Sequence, residues 1–501
     1  MFRERPRRGK QAFGILPPYD SDTRKTSPRS GRLPRRVTRL LVSILASLTF
    51  LGLYSLLEFD DDSWTPSNLP WQERLPPLYG KYRLRELALP QHNLDLPYPE
   101  GRDGKYLWLP EHVRGKSHGE LTATVLHNQF LDAESGWGNA LQEHFVNALL
   151  AYHSRRAFVF DNYTWNANGS LYSQFNKNII PSKIPMTVQI AGPMAGGPFA
   201  PGDNTPRSVM KEWFDVVCPH PKRLDRDAIR ASLPENYSAK TVMDAWIKHI
   251  EETPENCVIA DDRIFDIWVF GSKRLLDIVP LLFESPMVTE FRWSSLIIDG
   301  FNRNQKLYAP KGLTTATSND PYPVIPGLLA LHLRRGDFEK HCRGLAEWGS
   351  TWTGFNQLPE LLDHFDSPPR PKEGNATQEI YDAYTKSCYP SIEEIVQKVA
   401  DVKRTKAGSR LTNIYIMTNG KHPWLGELKQ ALHKSGNWNK ISTSRELKVT
   451  WEQKYVVQSI DMVVGQRADV FIGNGFSSLT ATIVMLRMAK GLDPAGTRLW
   501  S

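Results

Sequence analysis

With 501 residues, 40% of them hydrophobic and 23% charged, the chain is long enough for roughly two to four globular domains. Its formal net charge of +8 is local: residues 1–39 hold twelve Lys/Arg against three Asp/Glu, a net of +9, which leaves −1 for everything after Arg39. A near-neutral folded part excludes a nucleic-acid binder, which needs a basic surface against the phosphates.

In chain order, residues 1–39 read as a disordered basic tail. Leu40–Leu57 is an uncharged run of 18 residues, about the length that spans a bilayer. Arg32, Arg35, Arg36 and Arg39 precede it, and Glu58, Asp60, Asp61 and Asp62 follow. The positive-inside rule then leaves the tail in the cytosol and carries the rest across. The expectation is a single-pass type II protein of the Golgi or endoplasmic reticulum membrane with a lumenal body. A cleaved signal peptide is the alternative, against which stand the long basic region and the lack of a clear small-residue cleavage site. Four sequons lie beyond the run, at Asn162, Asn168, Asn236 and Asn375, and are glycosylation candidates. The four cysteines also lie beyond it; of the three pairings open to them, the spacing favours Cys218–Cys257 and Cys342–Cys388. No Cys/His spacing suggests zinc.

Residues 58–104, rich in proline, read as an extended stem. The globular part then begins near Lys105, with a first lobe over 105–325. Tyr106–Leu109 and Thr122–Phe130 have the pattern of strands. The turn Glu134-Ser-Gly136-Trp137-Gly138-Asn139 leads into Ala140–His153, where Leu141, Phe145, Leu149 and Tyr152 share a helical face. Ala157–Phe160 is a short apolar strand, which completes a strand–turn–helix–strand unit. Residues 191–207 form a Gly/Pro loop, and 209–316 read as mostly helical. Asp225-Arg226-Asp227 has the Asp-x-Asp form used by metal-dependent glycosyltransferases but sits in a polar segment before a short apolar run.

The second lobe, 326–501, opens on the apolar run Leu328–Leu333, the pattern of a strand buried on both faces. It ends in Arg334-Arg335-Gly336-Asp337. Alternation puts His332 and Arg334 on one face and Leu333 and Arg335 on the other, so an imidazole and a guanidinium stand together at the carboxyl end of a strand. Open α/β sheets bind ligands at that edge, and the fork of Arg334 fits two phosphate oxygens. Residues 343–390 read as a long irregular insertion. After it come a helix at Ile392–Val402, a strand at Asn413–Met417, and helices at Pro423–His433 and Tyr455–Arg467. A buried strand, Ala468–Ile472, leads through Gly473-Asn474-Gly475-Phe476 into a helix over Ser477–Lys490. Free N–H groups and hydroxyls at that helix start make a phosphate cradle. Strands alternating with helices predict an α/β fold with parallel sheets.

Three blocks carry a family resemblance: Gly136-Trp137-Gly138-Asn139, His332-Leu333-Arg334 with Gly336-Asp337, and Asp461 followed by Ala468-Asp469 through Ser477-Ser478. Together they resemble the GDP-fucose protein O-fucosyltransferases, although they cover only 28 residues and 166–325 matches nothing familiar. The resemblance implies a GT-B-like arrangement of two Rossmann-like lobes. It also implies a metal-independent, inverting transfer of fucose from GDP-fucose to a protein Ser/Thr hydroxyl or a glycan, with no other cofactor. Arg334 would hold the β-phosphate, and His332 would support the nucleotide sugar. Asp461 would read the guanine or ribose, Ser477, Ser478 and Leu479 would face the phosphates, and Gly138 and Asn139 would sit by the fucose. Leu479 departs from an aromatic common at its position. Gly136 stands where some relatives carry a Glu base, which makes Glu134 the candidate base here; otherwise the site has no conventional base and Asn139 assists. Three other readings stay open: an N-glycan core-type fucosyltransferase, a membrane-tethered glycan-binding protein that has lost catalysis, and a stalked structural protein. Intact His332, Arg334, Asp461 and Ser478 argue against an inactive protein.

Overall fold

The computed structural model describes residues 75–92, 104–110, 136–166, 169–175, 178–318, 320–336, 338–371 and 375–501. The run at 40–57, the strand expected at 122–130, Glu134, Asn168 and Asp337 lie outside them. Among the described residues no helix is long and apolar enough to cross a membrane.

Two parallel sheets of five strands each organise the chain. The first uses β1 (Tyr106–Trp108), β2 (Ala157–Phe160), β3 (Val209–Met210), β4 (Lys222–Leu224) and β5 (Cys257–Ala260), in the order β3-β2-β1-β5-β4. The second uses β6 (Ile325–Leu333), β7 (Asn413–Thr418), β8 (Lys440–Thr443), β9 (Ala468–Gly473) and β10 (Thr497–Leu499), in the order β8-β7-β6-β9-β10. The order of the second sheet reverses between β6 and β9, the kind of switch point where open α/β sheets form their ligand crevice. Both strands that border it carry blocks singled out in the sequence.

β6 is buried along its length except at Pro326. Leu329, Leu331 and Leu333 pack with Ile395, Val399 and Trp500 on one face, and Leu328 and Ala330 join the main core on the other. The strand opens on an irregularity against β9. There Gly327, at φ 75°, donates its N–H to Asp469 Oδ2 at 2.8 Å, a left-handed backbone that favours glycine.

Ten helices matter below: α1 (Gly80–Leu87), α2 (Trp137–His153), α3 (Ala239–Glu251), α4 (Ser295–Arg303), α5 (Phe338–Trp348), α6 (Gln378–Cys388), α7 (Ile392–Arg404), α8 (His422–Ser435), α9 (Val457–Arg467) and α10 (Ser478–Ala489). Side chains cap several of their starts: Ser238 caps α3, Ser294 caps α4, and Ser391 with Glu394 makes a full capping box on α7. The starts of α2 and α10 have no side-chain cap.

Two expectations are corrected. The stretch 75–92, read as part of an extended stem, is folded onto the body. In α1 and its flanks, Tyr79 donates to the Glu452 carbonyl at 2.6 Å, Glu86 accepts from the Thr187 N–H and hydroxyl at 2.8 Å each, and Gln91 donates to the carbonyls of Gly196 and Ser208. Residues 209–316 are mostly helical, as expected, and they also supply β3, β4 and β5, strands of two to four residues that are too short to show periodicity. Residues 343–390, read as an irregular insertion, hold α6 and the end of α5. Cys342–Cys388 joins those two helices, and Cys218–Cys257 ties β5 to the end of the helix Lys211–Val217.

Candidate active site

At the end of β6, His332 and Arg335 are each only 4% exposed and leave the strand on opposite faces. His332 Nδ1 lies 2.8 Å from Thr480 Oγ1, and its carbonyl accepts from Trp500 Nε1 at 2.9 Å. Burial, and then the neighbouring Arg334 charge, lower the imidazole pKa to about 3, so the ring is neutral at physiological pH. Arg335 turns away. Its guanidinium is stacked between Tyr389 and Trp424, 4.1 and 4.3 Å from their ring centres, and donates to the Pro390 carbonyl. Burial lowers its pKa to about 10, which leaves it charged. Its backbone is locked by Asn419, which accepts from the Arg335 N–H at 2.7 Å and donates to the Arg335 carbonyl at 2.8 Å. Arg334 is half-buried, with its guanidinium 4.9 Å from the centre of the Phe338 ring.

The turn after β9 is wound tightly around Asn474. Its Oδ1 accepts the Phe476 N–H at 2.9 Å, its Nδ2 donates to the Cys388 carbonyl at 2.7 Å, and its N–H donates to Thr480 Oγ1 at 3.1 Å. Gly475 lies against Trp352 so closely that a Cβ would come within 2.4 Å of the indole. Asn356 Nδ2 donates to the Gly475 carbonyl at 2.8 Å and to the Ser477 carbonyl at 3.3 Å. The segment between α5 and α6 therefore braces the turn that starts α10.

The start of α2 meets the start of α10 across the lobes. A Cβ on Gly138 would fall 2.6 Å from the Leu479 nitrogen and 2.7 Å from the Ser478 carbonyl carbon, so only glycine permits this approach. Gln142 Nε2 donates to both the Gly138 and Ser478 carbonyls at 3.0 Å, and the Thr482 hydroxyl donates to the Ser478 carbonyl at 3.0 Å. Two helix N-termini without side-chain caps thus converge. Each carries a partial positive charge and unsatisfied N–H groups, so an anion placed against them relieves their mutual repulsion. Asn139 is half-buried in the first turn of α2.

Asp461, on α9, accepts from the Tyr415 hydroxyl at 2.7 Å. Burial raises its pKa to about 7, against the lowering effects of the Tyr415 bond and Arg445. Tyr415 pairs with Ala330 in the sheet, as Met417 does with His332. Asp461 therefore lies over the same sheet face as His332, two residues back along the strand.

His332, Gly138, Asn139, Ser477, Ser478 and Leu479 come together in this way, with Arg334 at the same strand end and Asp461 over the same face. Glu134 lies outside the described residues. Asp225 caps the helix Arg226–Ala231, and Arg226 pairs with Asp227 and Asp262; among the described residues no group of three or more His, Cys, Asp or Glu could hold a metal. Sequence reasoning missed Thr480, Gln142, Tyr415, Asn474 and Asn356. Gln142 was within reach, since a residue four beyond a glycine-rich helix start lies over that start. The others depend on tertiary pairing.

The family model for GDP-fucose protein O-fucosyltransferase matches residues 309–490. No curated protein sequence matches the chain significantly. Among solved structures, POFUT1 in complex with GDP-fucose aligns at 14% identity and a TM-score of 0.45, covering 80% of this chain and 99% of that one. POFUT1 in complex with GDP aligns at 15% and 0.46, again over 80% and 99%. A mutant of Arabidopsis thaliana FUT1 in complex with GDP aligns at 10% and 0.34, over 81% and 73%.

Proposed function

From the premise that residues 309–490 form a domain of the GDP-fucose protein O-fucosyltransferase family, we propose that this chain is a GDP-fucose-dependent fucosyltransferase of GT-B architecture. The observation that carries the reading is the meeting of α2 and α10, both without side-chain caps, beside the strand end that presents His332 and Arg334. A sugar leaving GDP loads negative charge onto the diphosphate. Two helix N-termini and a guanidinium fork are fixed donors for that charge, and aiming donors at developing charge is the strongest single catalytic device.

In this reading Arg334 grips the β-phosphate. Ser478 and Leu479 offer amides and Ser477 and Ser478 offer hydroxyls to the phosphates, and His332 supports them as a neutral ring. Asp461 accepts from the guanine or ribose, with Tyr415 orienting its carboxylate. Asn139, on the α2 side, lies toward the fucose and the acceptor hydroxyl of a protein or glycan. The positive charge comes from the protein, so the reaction runs without a metal ion, and chelator leaves turnover unchanged. Glu134 acts as base: Glu134→Gln loses transfer by about 10²-fold, the scale of general-base catalysis, but binds GDP-fucose normally. Measuring transfer and donor hydrolysis separately tests that role. A type II lumenal body agrees with the charge step around 40–57 and with two disulfides, which persist in oxidising compartments.

Calorimetric titration of the full chain with GDP tests the site itself. The reading expects saturable binding at one site, weakened by Arg334→Ala. Absence of binding up to millimolar GDP in folded protein would sink it.

A further inference from the structure

Thr480 is fully buried in the first turn of α10 and touches both halves of the site. Its Oγ1 accepts the Asn474 N–H at 3.1 Å and stands 2.8 Å from His332 Nδ1. Two arrangements fit that second distance. Either the threonine hydroxyl donates to an unprotonated Nδ1, or a protonated Nδ1 donates to the hydroxyl oxygen. In the second arrangement the hydroxyl proton needs another acceptor, and among the described residues Thr480 Oγ1 has none within hydrogen-bond distance. A buried donor left unsatisfied is costly, so the first arrangement holds.

We propose that Thr480 is a positioning residue whose hydroxyl fixes His332 as the Nε2–H tautomer, so that the imidazole offers the nucleotide sugar a donor in place of a lone pair. The inference rests on the reading that His332 faces the diphosphate. An Nδ1–H ring would direct a lone pair at phosphate oxygens, and repulsion would replace a hydrogen bond. The pair is held from three sides: Trp500 Nε1 donates to the His332 carbonyl, the Asn474 N–H donates to Thr480 Oγ1, and Gly473 packs so closely that a Cβ there would come within 2.3 Å of Thr480 Cγ2. Burial beside Arg334 keeps the ring neutral, which is the state in which a tautomer choice exists.

The test uses the full chain labelled with ¹⁵N-histidine. Long-range ¹⁵N–¹H spectra read the tautomer, His332→Gln assigns the signal, and GDP affinity is measured by calorimetry on the same samples. The parent and Thr480→Ser should show the Nε2–H pattern and similar GDP affinity. Thr480→Val keeps the shape but not the hydroxyl, and should lose the single-tautomer pattern and bind GDP about tenfold or more weakly. An Nδ1–H pattern in the parent overturns the proposal even if Thr480→Val does not fold. So does a folded Thr480→Val that keeps both the parent tautomer and the parent affinity. If Thr480 controls the tautomer but the parent binds no GDP, the nucleotide reading falls and the local assignment stands.

Discussion

Arg334 and Arg335 are adjacent, yet the strand alternation gives them different work. Arg335 is held between Tyr389 and Trp424 on the far face, while Arg334 stands beside His332 on the ligand face. Replacing Arg334 should therefore change chemistry and leave the fold alone. Arg334→Ala should lower kcat/KM for the donor by about 10² to 10³, the range for losing one donor to a developing charge. Arg334→Lys should fall between it and the parent, since a point charge replaces the fork. A melting temperature near that of the parent confirms that the loss is local, and parent kinetics in folded Arg334→Ala would remove the residue from the site. Asp461 gives a pH signature. Its carboxyl pKa is raised in the folded protein from 3.8 to about 7. Its contribution to stability is thus fully present below the unfolded value and is lost as pH rises through about 7. The ionised form is the one that accepts from guanine or ribose. GDP affinity should therefore rise between about pH 6 and about pH 8, and Asp461→Asn should flatten that slope while gaining stability relative to the parent above pH 7. Affinity that falls over the same range would mean that Asp461 binds as a donor or not at all.

At the scale of elements, the contact between α2 and α10 joins the two lobes at the site. Gly138→Ala adds one methyl 2.6 Å from a backbone nitrogen, and backbone cannot yield as a flexible side chain can. The variant should lose about 1 to 3 kcal/mol of stability, the usual cost of overpacking, and should bind GDP more weakly because the two helix starts are forced apart. Denaturant unfolding and calorimetry check both, and parent values in both would show that the approach of the helices is unimportant. Elements were legible in the sequence where they were long or strongly patterned. The run of β6, the helix after Gly136, the capped α7 and the strand–turn–helix from β9 to α10 all announce themselves through periodicity and turn residues. Strands of two to four residues such as β3 and β4 do not, because their partners in the sheet define them. The docking of 75–92 was hidden for a different reason: its prolines suggest an extended chain, while Tyr79, Tyr82 and Glu86 are buried only because partners such as Glu452 and Thr187 lie elsewhere in the chain. The same holds for the site. His332, Arg334 and the α10 cradle follow from strand and cap patterns, but Thr480 and Tyr415 acquire their roles only when α10 and α9 close over the ligand face of the sheet.

On the scale of the whole molecule, the proposed lumenal orientation can be tested through the sequons. Asn236 and Asn375 are exposed, whereas Asn162 is half-buried and donates through its amide to Asp161 at 3.1 Å. In a secretory host, glycosidase should shift the mass through Asn236 and Asn375 first; a chain bare at every sequon would contradict the lumenal orientation. The central claim is that β6 and the paired helix starts form a site that transfers a sugar from GDP. Turnover is the direct measurement: GDP release by the full chain with a panel of GDP-sugars, with Arg334→Ala as the control. The site as described predicts release from GDP-fucose above the other donors, lowered by about 10² to 10³ in Arg334→Ala. Release from none of them by folded protein that still binds GDP would contradict it.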